Sequence, residues 1–389
     1  MPTSRFLFAL CLLLSLFAQV HAKDEPKAEP RKTSKADQRK IDAERKTRLK
    51  EREQRAKANA KSHEELTKKL DALMESYKER GFSGSVLVAK DGKVLLKKGY
   101  AMADREAKRA NAPDTLFDIG SVTKTFTAAG ILRLEQDGKL RLEDTLGKFF
   151  PNAPADKKPI TLTQLLSHSG GISRMYDSEH FDYENRDNTV KGLLSIPLTS
   201  KPGEKFEYSN TNYFIAAAVI EIASGESYET YMQKHIIEAS GMKDSGFCSS
   251  EKLDDKRGAM RYEDGQNKGS VTDWPFTWGQ KGCGYMVSTV EDMWRFSEAI
   301  EWTDFLDARA KELWFTVQKD SYALGWSVLE VEGKKMQCHA GAAPGARSYL
   351  ARLPEEDAMF VLLINACEQG SLQEFDIARE ISALLRSPE

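Results

Sequence analysis

The chain has 389 residues, 40% hydrophobic and 30% charged, with 57 Lys/Arg against 59 Asp/Glu and a net charge of −2. That apolar share excludes wholesale disorder, and the length suits one large domain or two small ones with a tail. The near-neutral total hides a split: residues 23–61 carry 15 Lys/Arg and 8 Asp/Glu, so the body from Ser62 onward is acidic, which argues against nucleic-acid binding by the body.

Met1–Ala22 has the pattern of a secretory signal. Arg5 precedes the apolar run Phe6–Val20, and Val20-His21-Ala22 forms a small-residue cleavage site. The run is short for a bilayer span, and no other segment is long and apolar enough, so the mature chain is expected to be exported, periplasmic or secreted. Residues 23–61 contain only Ile41 and Leu49 as large aliphatics and no aromatics. They are expected to form a solvated basic tether, helical in part, with contact to an anionic envelope surface as a second use. The remainder, 62–389, is expected to be the folded domain.

Ser62 and Glu65 match a capping box, followed by Leu66, Leu70, Leu73, Met74 and Tyr77 on one helical face. Ser85–Lys90 and Lys93–Gly99 flank Asp91-Gly92 and predict a hairpin. Helices are predicted over Thr123–Asp137, Leu162–Leu166, Thr211–Ala223 and Tyr228–Ala239. Strands are predicted over Lys335–His339, Ser348–Leu353 and Met359–Ala366, then a closing helix from Leu372 to Leu385. Strands at both ends with helices between predict an α+β fold. One antiparallel sheet, built from N- and C-terminal strands and flanked by helices, would receive an inserted mainly helical region, with a cleft at the junction.

Ser121 and Lys124 stand three apart at the start of a helix and share a face, so their side chains can meet. Serine is a weak nucleophile until a neighbour takes its proton. Two further pairs with this spacing, Ser240–Lys243 and Ser249–Lys252, sit in turn-like sequence and read as structural. Tyr208-Ser209-Asn210 precedes an apolar helix; its phenol can relay a proton and Asn210 can bind a lysine or a substrate amide. The similar Tyr183-Glu184-Asn185 reads as a surface loop. His339-Ala340-Gly341 ends a strand, where the N–H of Ala342 can face an oxyanion and Gly341 lets substrate approach the backbone. His168-Ser169-Gly170 reads as a structural helix end.

These three motifs, in this order, resemble the serine β-lactamase and penicillin-binding-protein superfamily, and most closely its class C β-lactamase-related branch. The resemblance covers about 82–385 and includes the phrases Leu165-Leu166-Ser167-His168-Ser169-Gly170-Gly171 and Ser288-Thr289-Val290-Glu291-Asp292-Met293. It implies a serine hydrolase with Ser121 as nucleophile. Lys124 and Tyr208 would share its proton, and which of them is the base stays open. The N–H groups of Ser121 and Ala342 would form the oxyanion hole. The substrate would be a small molecule or peptide, such as one derived from peptidoglycan. Asn210, His339, Gly341 and Ala342 would line its site.

Many relatives carry Lys-Thr-Gly where this chain has His-Ala-Gly. Neutral histidine is a poorer carboxylate anchor, which favours peptide or ester substrates over efficient β-lactam hydrolysis. Arg347 could compensate or be a strand surface charge. A non-turnover penicillin-binding sensor or cell-wall binding module on the same fold is the competing reading.

No cofactor is expected, and the scattered histidines with no paired-cysteine spacing disfavour a metal. Cys248–Cys283 is the favoured disulfide if one forms, against four free thiols. Trp274, Phe276, Trp278 and Tyr285 form either an aromatic cleft wall or ordinary packing.

Overall fold

The computed structural model describes residues 35–173, 185–248, 250, 253–273, 277–331, 333–367 and 373–387. The Asp91-Gly92 turn joins β1 (Gly84–Lys90) to β2 (Lys93–Tyr100), with φ of 50° and 72° at its two central residues. This is the left-handed pair that a tight hairpin demands. At the other end of the chain lie β5 (Ser327–Val331), β6 (Lys334–Ala343), β7 (Ala346–Leu353) and β8 (Ala358–Ile364). The two groups join through β1 and β8 in a six-stranded antiparallel sheet of order β5-β6-β7-β8-β1-β2. Between them in sequence, β3 (Met260–Glu263) and β4 (Gln266–Ser270) form a separate hairpin around Asp264-Gly265. That hairpin and β5 were not anticipated.

Each strand of the sheet centre is buried on both faces. Leu87 pairs with Val361 and faces one core, while Val86, Val88, Phe360 and Leu362 face the other. The period of two divides the strand between the cores. On the second face pack α2 (Ala60–Glu79), through Leu70, Met74 and Tyr77, and α10 (Gln373–Arg386), through Ile377, Ile381 and Leu385. The first face supports the helical insertion: α3 (Thr123–Gln136), α4 (Leu162–Leu166), α5 (Arg186–Ser195), α6 (Asn210–Ser224) and α7 (Tyr228–Met232), then α8 (Val290–Trp302) and α9 (Ala308–Phe315). From Thr211 to Ile220, α6 is buried all round, as a helix at the centre of a core must be.

Two expectations need correction. Ser62 is no N-cap; it lies inside α2, its Oγ donating to Asn59 O at 3.1 Å. The cause is upstream: the segment expected to be a solvated, partly helical tether forms α1 (Lys35–Ala58), which runs almost directly into α2 and is docked on the body rather than solvated. Arg45, Arg48, Arg52 and Arg55, at spacings of 3, 4 and 3, share one face and meet Asp304, Glu301, Glu298 and Asp357. Arg52 is buried and stacks over Trp302 at 4.8 Å. Of the two readings open for the cysteines, the structure shows the free thiols: Cys248, Cys283, Cys338 and Cys367 are unpaired. Cys248 Sγ instead donates to Val271 O.

Among the described residues, no helix is long and apolar enough to cross a membrane. Residues 1–34, including the expected signal segment, lie outside the described residues, as do Ser249, Lys252, Tyr183, Trp274 and Phe276. Trp278 and Tyr285 are buried in the helical core, which fits the packing reading for those two.

Candidate active site

The Ser121 turn is built by its neighbours. Asp118 is buried and accepts the Gly120 N–H at 2.7 Å, setting the turn that starts α3. Burial pushes the Asp118 carboxyl upward. Ser348 Oγ on β7 donates to Ile119 O at 2.7 Å and ties the same turn to the sheet. A side chain on Gly341 would run into Ile119 O and Ser348 Oγ. This corrects the expected role of Gly341: its missing side chain admits the Ser121 turn, not substrate. Gly120 has φ +48°, and a Cβ there would lie 2.7 Å from Ala342 N. Two glycines thus let the backbone of Ser121 come alongside the exposed end of β6 at Ala342.

Lys124 is fully buried. Its Nζ donates to Ser121 Oγ at 2.9 Å and to the carbonyl oxygen of Cys283 at 3.2 Å. The helical spacing of three therefore delivers the predicted contact. The Tyr208 ring centroid lies 5.0 Å from Lys124 Nζ, and Tyr208 and Ser121 are both part-exposed. Asn210 opens α6, and its buried Oδ1 has no hydrogen-bond partner among the described residues. The hydroxyl, the amine and the phenol ring are thus gathered from the starts of α3 and α6, with the end of β6 beside them.

His339 sits differently from its expected role at the cleft surface. It is buried, and its Nε2 lies 3.0 Å from Tyr322 Oη while Nδ1 lies 2.7 Å from Ala340 O. A carbonyl can only accept, so Nδ1 carries the proton and Nε2 accepts from the phenol. Burial, then the Lys124 charge, lowers the His339 pKa to about 3. It is a neutral second layer rather than an anchor. Arg347 Nη1 is tied to Ala343 O and Ala346 O, which caps the β6–β7 turn.

The sequence reading missed Tyr213 and Tyr322, both buried, and took His168 for a simple helix end. With Tyr208 and His339 they form a cluster of rings, of which Tyr208 and Tyr213 lie against Lys124. Tyr213 Oη donates to Leu166 O at 2.7 Å, and its ring lies 5.7 Å from Lys124 Nζ. Tyr322 follows Asp320 and Ser321, both at positive φ, a tight reversal that aims it at His339. No local pattern marks these rings, because four separate segments contribute them. The decoy Ser240 Oγ bonds Ile237 O, and Lys243 is exposed. Asn185 caps α5. Among the described residues, no cluster of His, Cys, Asp or Glu is arranged to hold a metal ion.

The two buried imidazoles of this site, His168 and His339, predict acid sensitivity. An unfolded histidine takes up its proton near pH 6.5, whereas folded His339 does so only at about 3. The unfolded state therefore binds more protons between those values. Stability is full above about pH 7 and falls as pH drops through that window, by about 1.4 kcal/mol per unit for His339. His168 is lowered for the same reasons, burial first and Lys124 second, and adds in the same direction. Lys124, Tyr208, Tyr213 and Tyr322 face the pair. Urea titrations at pH 7.5 and pH 5 should show about 2 kcal/mol lost to His339 alone, read as the part of the drop that disappears in His339→Gln.

The β-lactamase family model matches residues 66–384. The chain belongs to this family of β-lactamases and penicillin-binding-protein homologues. It is 29% identical over 313 residues to protein flp of Staphylococcus aureus, covering 76% of this chain and 62% of that protein. The chain thus spans less than two thirds of the length of that relative. The octameric penicillin-binding protein homologue from Pyrococcus abyssi is similar in structure, with TM-score 0.71, 28% identity, and 82% of this chain and 76% of that one covered. The D-amino acid amidase of Ochrobactrum anthropi shares the fold, with TM-score 0.69, 24% identity, and 82% and 98% coverage.

Proposed function

We propose that the protein is an exported serine hydrolase that works through a covalent acyl-enzyme on Ser121. Its substrates are amides or esters: D-amino-acid peptides or amides, β-lactams or simple esters. The observation carrying this reading is the 2.9 Å contact between buried Lys124 Nζ and Ser121 Oγ at the head of α3. Ser121 Oγ attacks the substrate carbonyl carbon while its proton passes to the Lys124–Tyr208 pair. That proton then goes to the leaving nitrogen or oxygen as the C–N or C–O bond breaks. Water attacks the resulting serine ester, releases the acid and restores the Ser121 hydroxyl. The N–H groups of Ser121 and Ala342 hold the oxyanion; one such donor contributes about 2.7–4 kcal/mol to the transition state. Asn210 Oδ1 takes a substrate N–H.

The chemistry around β6 narrows the substrate. His339 is buried and neutral, and Arg347 is tied to two carbonyls, so neither is placed to catch a free carboxylate. This favours esters and amides over ligands that depend on a carboxylate anchor. Export rests on the Met1–Ala22 pattern. Lys46, Lys50 and Lys57 lie on the face of α1 opposite its bound arginines, exposed and suited to an anionic envelope surface.

A panel of a cephalosporin, a D-Ala-D-Ala peptide, a D-amino-acid amide and a short-chain ester tests the proposal. At least one should turn over, and Ser121→Ala should reduce that turnover by at least about 10³-fold. Acylation that persists for hours with every substrate would favour the sensor reading instead.

A further inference from the structure

We propose that His168, which lies outside the three motifs, is the positioning residue for Tyr208; this rests on the serine hydrolase reading above. The capping box of Thr161 and Gln164 starts α4, and the chain leaves that helix at Ser167 and turns through His168 at φ +55°. Histidine tolerates this left-handed backbone better than most side chains, but still at a cost. What the turn achieves is a grip on Tyr208 from both sides. The backbone oxygen of His168 accepts the Glu207 N–H at 2.8 Å. Its Nδ1 accepts the Ser209 N–H at 3.2 Å. The residues immediately before and after Tyr208 are therefore both held by one residue 40 positions upstream in sequence.

The ring completes the grip. The imidazole is 1% exposed, and its centroid lies 4.4 Å from that of Tyr208, against 4.9 Å for Tyr322 and 5.2 Å for Tyr213. Asn212 Nδ2 also lies 3.0 Å from Nδ1. With an N–H donor there from Ser209 and an amide beside it, Nδ1 holds a lone pair and the proton sits on Nε2. Nε2 is buried without a hydrogen-bond partner among the described residues. A simple helix end needs none of this: it requires no ring, no neutral tautomer and no orphaned ring nitrogen. A protonated imidazole would lose the Nδ1 acceptor and place a second positive charge beside Lys124. The neutral form keeps the phenol seated beside the lysine without competing for the serine proton.

Two variants separate the grip from mere folding. His168→Asn tolerates the left-handed backbone and can offer Oδ1 to the Ser209 N–H, but has no ring. His168→Phe keeps a ring and loses the acceptor. The acylation rate per titrated site should fall about 10–100-fold in both, with KM within about threefold of the parent. The pH profile of acylation should also shift. Ring flipping of Tyr208, followed by NMR on 13C-tyrosine-labelled protein and assigned with Tyr208→Phe, should become faster in both variants. Parent-like rates and pH profile in the variants, with only fewer active sites, would show a structural helix end and overturn the proposal. If either variant does not fold, the other carries the test. Should the parent protein show no acylation at all, the hydrolase reading fails, and the ring-flip comparison still decides whether His168 holds Tyr208: unchanged flipping overturns it.

Discussion

Replacing Lys124 with methionine is expected to give a folded protein whose Ser121 is acylated roughly 10²–10⁴-fold more slowly, the range for loss of a positioned proton-transfer group. The side chain is fully buried, and its only described hydrogen bonds go to Ser121 Oγ and Cys283 O. Methionine keeps the length and the apolar stem and removes the amine. Cys283 O loses a partner at a cost of about 1 kcal/mol, while the expense of burying a cation disappears. The melting temperature should therefore hold or rise as activity falls, a combination that general destabilisation cannot produce. There is also a linked sign. The Lys124 charge contributes to the lowered pKa of both His168 and His339. Without it, both folded values move up toward 6.5 and the gap to the unfolded state narrows, so the acid-induced loss levels off at a higher pH and is smaller in total. Urea titrations carried from pH 7.5 down to about pH 3 read this, and stopped-flow labelling reads the rate.

Gly341→Ala should damage stability and catalysis together. The added methyl has no free space: it meets Ile119 O and Ser348 Oγ, the two atoms whose 2.7 Å hydrogen bond fastens the Ser121 turn to the sheet. One partner is backbone, so the strain has to move the turn or the strand. Overpacking of this kind costs about 1–3 kcal/mol. The displacement falls on Ser121 and Ala342, the two proposed oxyanion donors, and a shift of about 1 Å there costs on the order of 10²-fold. Denaturant midpoints and acylation rates measured on the same preparation check both halves. A variant with parent-like stability and rate would mean that the close approach of β6 to the turn is unimportant.

Local chemistry was legible in the sequence; tertiary convergence was not. Asp91-Gly92 gave the hairpin because a left-handed dipeptide is a local requirement, and Asp264-Gly265 carries the same signal for β3 and β4. The Ser121–Lys124 contact follows from helical spacing alone. By contrast, the ring of Tyr322 and the imidazole of His168 meet Tyr208 only because separate segments pack together. Nothing adjacent to either residue signals the contact. The arginines of α1 teach a different lesson. Their spacing was readable as a stripe, but averaging the composition over 23–61 hid it, and their carboxylate partners lie some 250–300 positions downstream. His339 was placed on the right strand, but the strand runs on to Ala343 instead of ending there, and the inward packing of the imidazole against Tyr322 had no local signal.

The central claim is that the oxygen of Ser121 becomes covalently bonded to the acyl group. Intact-mass spectrometry and peptide mapping after brief exposure to a penicillin or a fluorophosphonate test it most directly. A single adduct on the Ser121 peptide, lost in Ser121→Ala and strongly slowed in Lys124→Met, is the predicted result. An adduct confined to another residue, or none in a folded sample with either reagent, would contradict it.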